Sequence, residues 1–195
     1  MQHIKKLWPQ KRWKKILLIT LIVLTITAAS FLAYASAGMN NDVITELVVK
    51  NPQGTQTALI LYHLGLSSFS HDVAYAFADG LASKDWRVEI ATPSIEAPTE
   101  FSKYSLLVVS SNTYASTPDN PTIRHLERIG NLNGIQTVLI TLGLGSAQES
   151  KQSLEHTIQA SNGTIVESLL IYSMAPNEGG KSATEIATQA AQQIN

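Results

Sequence analysis

Three runs of residues carry almost no polar side chain and are too short for helices: Ala58–Tyr62, Leu106–Val109 and Thr137–Thr141. A strand that is apolar at consecutive positions, rather than at alternate ones, must be covered on both faces. That requirement belongs to the central strands of a parallel sheet layered between helices. Each run ends in a polar or glycine-containing stretch, and each such stretch leads into a helical pattern. After the first run, His63–Ser70 supplies three hydroxyls and one glycine, and Val73, Ala74, Phe77, Ala78 and Leu81 then mark one helical face, with Ser70 as the expected N-cap. After the second, Ser110–Pro118 leads to Asn120 as N-cap and Pro121 at the first helical position, with Ile123, Leu126 and Ile129 on the inner face. After the third, Leu142–Gly145 precedes Ser146 and Glu149, spaced as a capping box.

The remaining elements complete the pattern. Trp86–Ala91 alternates like a strand near a sheet edge, and Thr92–Tyr104, with two prolines, reads as a short irregular crossover. Asn162 and Gly163 stop a helix, Thr164–Ile171 supplies a last strand, and Ser182 with Glu185 caps a final helix. The expected fold class is α/β: an open five-stranded parallel sheet with helices on both faces, preceded by one transmembrane helix. In such sheets ligands bind outside the carboxyl ends of the strands. There the first loop offers a helix N-terminus and hydroxyls, a combination suited to an anion.

The N-terminal part has a different character. Ile16–Tyr34 contains no charged residue and would span about 28 Å as a helix, close to the thickness of a bilayer's hydrocarbon core. Trp8, Trp13 and Tyr34 flank it as interfacial anchors do. Six basic residues (Lys5, Lys6, Lys11, Arg12, Lys14, Lys15) precede it, and all fifteen acidic residues follow Gly38. This asymmetry places the N-terminus in the cytoplasm and the domain outside it. Ala35-Ser36-Ala37 also matches a signal-peptidase site, but the apolar run exceeds the length usual for a signal peptide. The organisation read from the chain is a basic cytoplasmic segment at 1–15, an uncleaved anchor at 16–37, a juxtamembrane connector at 38–56 and the domain at 57–195. Past the anchor, eight basic residues face fifteen acidic ones, an excess of seven negative charges that argues against nucleic acid as a partner. The chain has no cysteine, which excludes disulfides and thiolate chemistry.

With the order of elements, the loop GLSSFS after the first strand, SSNTYASTP after the third and TLGLG after the fourth, residues 57–195 resemble flavodoxins. The resemblance implies a strand order of 2-1-3-4-5 and FMN as cofactor, held at those three loops. It implies that Ser67, Ser68 and Ser70 bind the FMN phosphate. It further implies that Asn112, Thr113, Tyr114 and Ala115 line the isoalloxazine, and that Gly143, Leu144 and Gly145 bring backbone to its pyrimidine side. The first loop departs from the family pattern T-x-T-G-N-T: Gly65 stands in place of the first hydroxyl, Ser68 of the glycine and Phe69 of the asparagine. In the second loop Asn112 stands where a proline is common and Ser116 where a glycine is common.

Rival chemistry is weaker. Gly65-Leu66-Ser67-Ser68-Phe69 partly matches a nucleophile elbow, with His71, His125 and His156 as candidate bases, but the second glycine is absent. His63 at a strand end and His71 beside Asp72 are better explained by hydrogen bonding and helix capping, and no His, Asp or Glu group has metal-ligand spacing. The expectation is therefore a membrane-anchored domain, with no catalytic side chain, that binds FMN and exchanges electrons with a redox partner or a quinone. The alternative is a flavodoxin-like domain that has lost FMN and acts as an interaction module at the cell envelope.

Overall fold

A computed structural model describes residues 11–194, so Lys5, Lys6 and Trp8 of the basic head lie outside the described residues. The chain divides into two compact units, Met1–Gly38 and Met39–Asn195. The first contains nearly all of helix α1, Arg12–Asn40, which has no buried residue and is long and apolar enough to cross a membrane by length and composition. Its threonines suit that role. Thr25 and Thr27 donate their hydroxyls to the carbonyls of Leu21 and Val23, at 2.8 and 2.9 Å, so neither leaves a polar hydrogen unpaired on an apolar surface. The helix runs past the expected boundary at residue 37 and includes Ala35–Ala37.

The second unit is built on one sheet. Its strands are β1 (Val48–Lys50), β2 (Gln56–Tyr62), β3 (Trp86–Ala91), β4 (Leu106–Tyr114), β5 (Thr117–Pro118), β6 (Gln136–Gly143) and β7 (Thr164–Tyr172). Its helices are α2 (Phe69–Ala82), α3 (Asn120–Ile129), α4 (Gln148–Ala160) and α5 (Ala183–Gln192). The main sheet runs β1-β3-β2-β4-β6-β7, with β5 paired to β4. The five parallel strands β3-β2-β4-β6-β7 have the expected order 2-1-3-4-5. The seven-stranded total comes from two additions. One is the short hairpin arm β5; the other is β1, which pairs antiparallel with β3 and lies within the segment expected to be a connector. That segment is held further by Thr92, whose hydroxyl donates to the Val43 carbonyl and lies 3.2 Å from the hydroxyl of Thr45.

Period-two alternation sorts the strands' apolar residues into two cores. Ala58, Ile60, Tyr62, Val108, Val138 and Ile140 face one side and pack with Phe77 and Leu81 of α2 and Ala187 and Ala191 of α5. Leu59, Leu61, Leu107, Val109 and Leu139 face the other and pack with Leu126 of α3 and Leu154 and Ile158 of α4. Each fully buried Leu, Ile or Phe contributes about 2 kcal/mol to this arrangement. Helices α2 and α5 come close because Gly80 lacks a side chain: a Cβ there would lie 2.6 Å from the Cβ of Ala191.

Residues 92–105 contain no helix, as their prolines predict. The gap is closed by a polar pin. Glu89 of β3, 3% exposed, accepts hydrogen bonds from Tyr104 Oη (2.6 Å), Lys103 Nζ (2.8 Å) and the Arg87 guanidinium (3.1 and 3.2 Å).

Several helix starts differ from the sequence reading. Ser70 lies inside the first turn of α2, whose N-cap is Ser68. Asp119, not Asn120, caps α3, because its carboxylate is one residue nearer the turn and accepts from Thr122 N–H. Ala147 precedes α4 and the box at Ser146 and Glu149 does not form, whereas the box at Ser182 and Glu185 does.

Candidate functional site

The carboxyl ends of β2, β4 and β6 bring the three loops together. In the first, the chain leaves β2 at Tyr62, buries His63 and turns at Gly65, whose φ of +66° is left-handed. A Cβ on Gly65 would lie 2.8 Å from Asn112 Nδ2 and 3.1 Å from the Tyr114 hydroxyl. The glycine therefore allows the first loop to lie flat against the second.

In the second, β4 extends five residues beyond the apolar run and carries Asn112, Thr113 and Tyr114 as strand residues rather than as a loop. Asn112 ties the loops together: its Nδ2 donates to the His63 carbonyl at 2.8 Å, and its backbone N–H donates to Asp119 Oδ2 at 2.9 Å. Asp119 is 1% exposed and also accepts from Ser111 Oγ at 2.8 Å. Its Oδ1 stands 3.7 Å from Nδ1 of the buried His63. These two residues form a polar base beneath the site, and sequence reasoning missed Asp119 because it looks like an ordinary loop acid.

Tyr114–Thr117 is a two-residue hairpin in which Ala115 (φ +46°) and Ser116 (φ +66°) are both left-handed, a conformation favoured by Asn-Gly and strained for Ala. Converting Ala115 to Asn and Ser116 to Gly is expected to stabilise the domain by about 1 kcal/mol or more, read from chemical denaturation midpoints. An unchanged or lowered midpoint would mean that the turn is not strained.

In the third, Gly143 ends β6. A Cβ there would come 2.7 Å from the Cβ of Ala147, so this glycine serves the closure of the turn. Leu144 projects into solvent at 67% exposure. A fourth segment joins from β7: Ser173 donates to the Gly143 carbonyl and Ala175 to the Leu144 carbonyl, at 3.0 and 3.1 Å. Asn177 holds that turn by bonding both ways with the Tyr172 backbone, at 2.7 and 2.9 Å.

Between these segments lies a cavity of about 220 Å³, lined by Leu66, Phe69, Tyr114, Leu142 and Leu144 together with Ser67, Asn112, Thr113, Gly143 and Ser173; none of them is charged. Six of the ten expected site residues line it, while Ser68, Ser70, Ala115 and Gly145 do not. Ser173 was not foreseen. A wider groove of about 550 Å³ lies at the amino ends of the strands, beside Gln56, Ser105 and Gln136. The smaller cavity is the one at the position where open α/β sheets place ligands.

Two of the three hydroxyls of the first loop are donated within the protein. Ser70 Oγ, 1% exposed, donates to the Leu64 carbonyl at 2.7 Å. Ser68 Oγ donates to Asp72 Oδ2 at 3.0 Å, and Ser67 Oγ accepts from Phe69 N–H at 3.4 Å. Asp72, in the first turn of α2, is held below the usual carboxylate range by its hydrogen bonds to His71 and Ser68. With two of its three hydroxyls committed and a carboxylate in the first turn of α2, the loop fits a phosphate poorly.

Other chemistry finds no assembly here. His71 pairs with Asp72 at 3.1 Å and stacks on Tyr75 at 4.1 Å, away from a general-base role toward Ser67. His125 is buried, with Nδ1 accepting from Arg128 and Nε2 donating to the Pro98 carbonyl; burial and the Arg128 charge push its pKa down. Among the described residues no group of His, Asp or Glu is placed to hold a metal ion.

No family model and no curated protein matches the sequence. Solved structures do match, and they define the class of the domain: its fold is flavodoxin-like. A flavodoxin from the domain Archaea superposes with a TM-score of 0.61 at 16% identity, over 71% of this chain and 96% of that one. The Streptococcus pneumoniae TIGR4 flavodoxin gives 0.56 at 13% identity, over 71% and 95%. The rubredoxin oxygen:oxidoreductase of Desulfovibrio gigas gives 0.56 at 14% identity, over 73% of this chain and 36% of that one.

Proposed function

We propose that the chain is a single-pass membrane protein whose flavodoxin-like domain lies outside the cytoplasm, binds a flavin at the carboxyl ends of β2, β4 and β6, and moves electrons at the membrane. It acts either as a carrier or as a reductase with a quinone or NAD(P)H as co-substrate. The observation that carries the reading is the uncharged cavity with Tyr114, Leu66 and Leu144 around it, set at the position where this fold class places ligands. A bound flavin supplies the electron chemistry. The chain's own part is to hold the ring against Tyr114, to keep water from its apolar side with Leu66 and Leu144, and to fix the loops through Asn112 and Asp119.

The topology rests on the six basic residues ahead of Ile16 and the acidic domain that follows α1. Protease added to intact spheroplasts is expected to digest the domain; protection would reverse the orientation. The redox role is tested with flavin-loaded full-length protein in lipid nanodiscs, reduced anaerobically. A quinone in the bilayer is expected to reoxidise it at least ten times faster than it reoxidises free flavin at the same concentration. Equal rates would remove the electron-transfer role.

One observation favours the second reading, a domain without cofactor that serves as an interaction module. At about 220 Å³ the cavity is smaller than the roughly 300–1,000 Å³ of most ligand sites, so without movement of Leu66 or Leu144 it takes only part of a ring.

A further inference from the structure

Resting on the flavin reading above, we infer that the ligand of this site carries no phosphate: the slot selects a neutral flavin of the riboflavin type over FMN. Three features of the first loop converge on this. The hydroxyls that would cradle a phosphate have internal partners, with Ser70 Oγ buried against the Leu64 carbonyl at 2.7 Å and Ser68 Oγ given to Asp72 at 3.0 Å. The first turn of α2 already carries a carboxylate, Asp72, whose negative charge offsets the helix's positive end. Leu66 and Phe69 flank the loop with apolar surface that would desolvate an anion without compensating it.

Charge completes the argument. A phosphate monoester brings roughly −1.5 to −2 charges at neutral pH. It would arrive beside Asp72, with His71 already paired to that carboxylate at 3.1 Å. The segment between Tyr62 and Asp79 contains no Lys or Arg, and Lys50, which lies 5.0 Å from the Tyr75 ring, is already paired with Asp79. A ribityl chain ending in a hydroxyl has no such conflict. It can take a hydrogen bond from the Ser67 hydroxyl, which donates to no group in the first loop, and from the backbone at the start of α2, while the edge of its ring enters the cavity.

The test is a fluorescence-quenching titration of full-length protein in nanodiscs with riboflavin and, separately, with FMN. It is repeated on Asp72→Asn and at two salt concentrations. Riboflavin is expected to bind at least tenfold more tightly than FMN in the unaltered protein. Asp72→Asn is expected to narrow that ratio several-fold, and added salt to narrow it too, because the discrimination is electrostatic at an exposed carboxylate. FMN binding as tightly as riboflavin, or an unchanged ratio in Asp72→Asn, would overturn the inference and leave the flavin reading intact. Binding of neither ligand would overturn the flavin reading, and this inference with it.

Discussion

Replacing Asp119 with alanine is expected to lower the stability of the domain by about 3 kcal/mol or more and to loosen the second loop of the site. Both effects come from one fully buried carboxylate. Its Oδ2 accepts from Ser111 Oγ and from the Asn112 N–H, at 2.8 and 2.9 Å, and its Oδ1 caps α3 through the Thr122 N–H at 2.9 Å. Loss of an N-cap alone costs about 1 kcal/mol. Buried donors left without an acceptor cost about 1–3 kcal/mol each. Asp119→Asn is the informative companion. An amide can keep the acceptor at one end but not at both, so it is expected to fall between the two proteins, nearer the unaltered one. Chemical denaturation gives the stabilities, and amide hydrogen exchange at residues 110–118 reads the loop. A loss below about 1 kcal/mol in Asp119→Ala would mean that water replaces the carboxylate's contacts and that the base of the site is not built as described.

The second large effect concerns Glu89. Burial alone would raise its pKa, but the hydrogen bonds from Lys103, Tyr104 and Arg87 outweigh that and hold the carboxyl below its usual range. Burial, and then the same pairing, push the Tyr104 hydroxyl well up. Because the folded pKa of Glu89 lies below the unfolded one, the folded state binds its proton less readily. The carboxylate's contribution is therefore fully present above the unfolded value of about 4.3 and is lost as pH falls through the lower, folded value. Glu89→Ala is expected to cost about 3 kcal/mol at neutral pH, since it strands the Tyr104 hydroxyl and opens a space under residues 92–105. Lys103 is about half exposed and contributes the smaller share through solvent screening. The difference between the two proteins should shrink as pH is lowered below about 4. A pH-independent difference would assign the loss to packing alone.

The layered sheet could be read from the chain because uniformly apolar segments such as Leu106–Val109 have few places to go, and their order then fixes the parallel topology. The irregular crossover was legible from its prolines. Edge strand β1 was not: Val48–Lys50 is only three residues long, and its pairing with Val88–Ile90 depends on a partner about forty residues away. Helix starts were misplaced by one or two residues where several capping-competent side chains compete, as with Ser68 and Ser70 or Asp119 and Asn120.

At the site, the sequence located the three loops but not the use of their side chains. GLSSFS shows three hydroxyls, and nothing in their spacing reveals that Leu64 and Asp72 take two of them. Asn112 looked like a ring-lining residue; it lines the cavity and also pins two loops together through partners 49 and 7 residues away. Ser173 joins the site only because β7 ends beside β6, a consequence of register.

The central claim is that this cavity holds a flavin ring against Tyr114. Its most direct test is the quenching of riboflavin fluorescence by full-length protein in nanodiscs, set beside the same titration of Tyr114→Ala. The expected result is saturable quenching with a Kd of roughly micromolar or tighter, weakened at least tenfold in Tyr114→Ala while the variant's unfolding midpoint changes little. No quenching at roughly 100 µM flavin, or equal quenching by both proteins, would contradict the site.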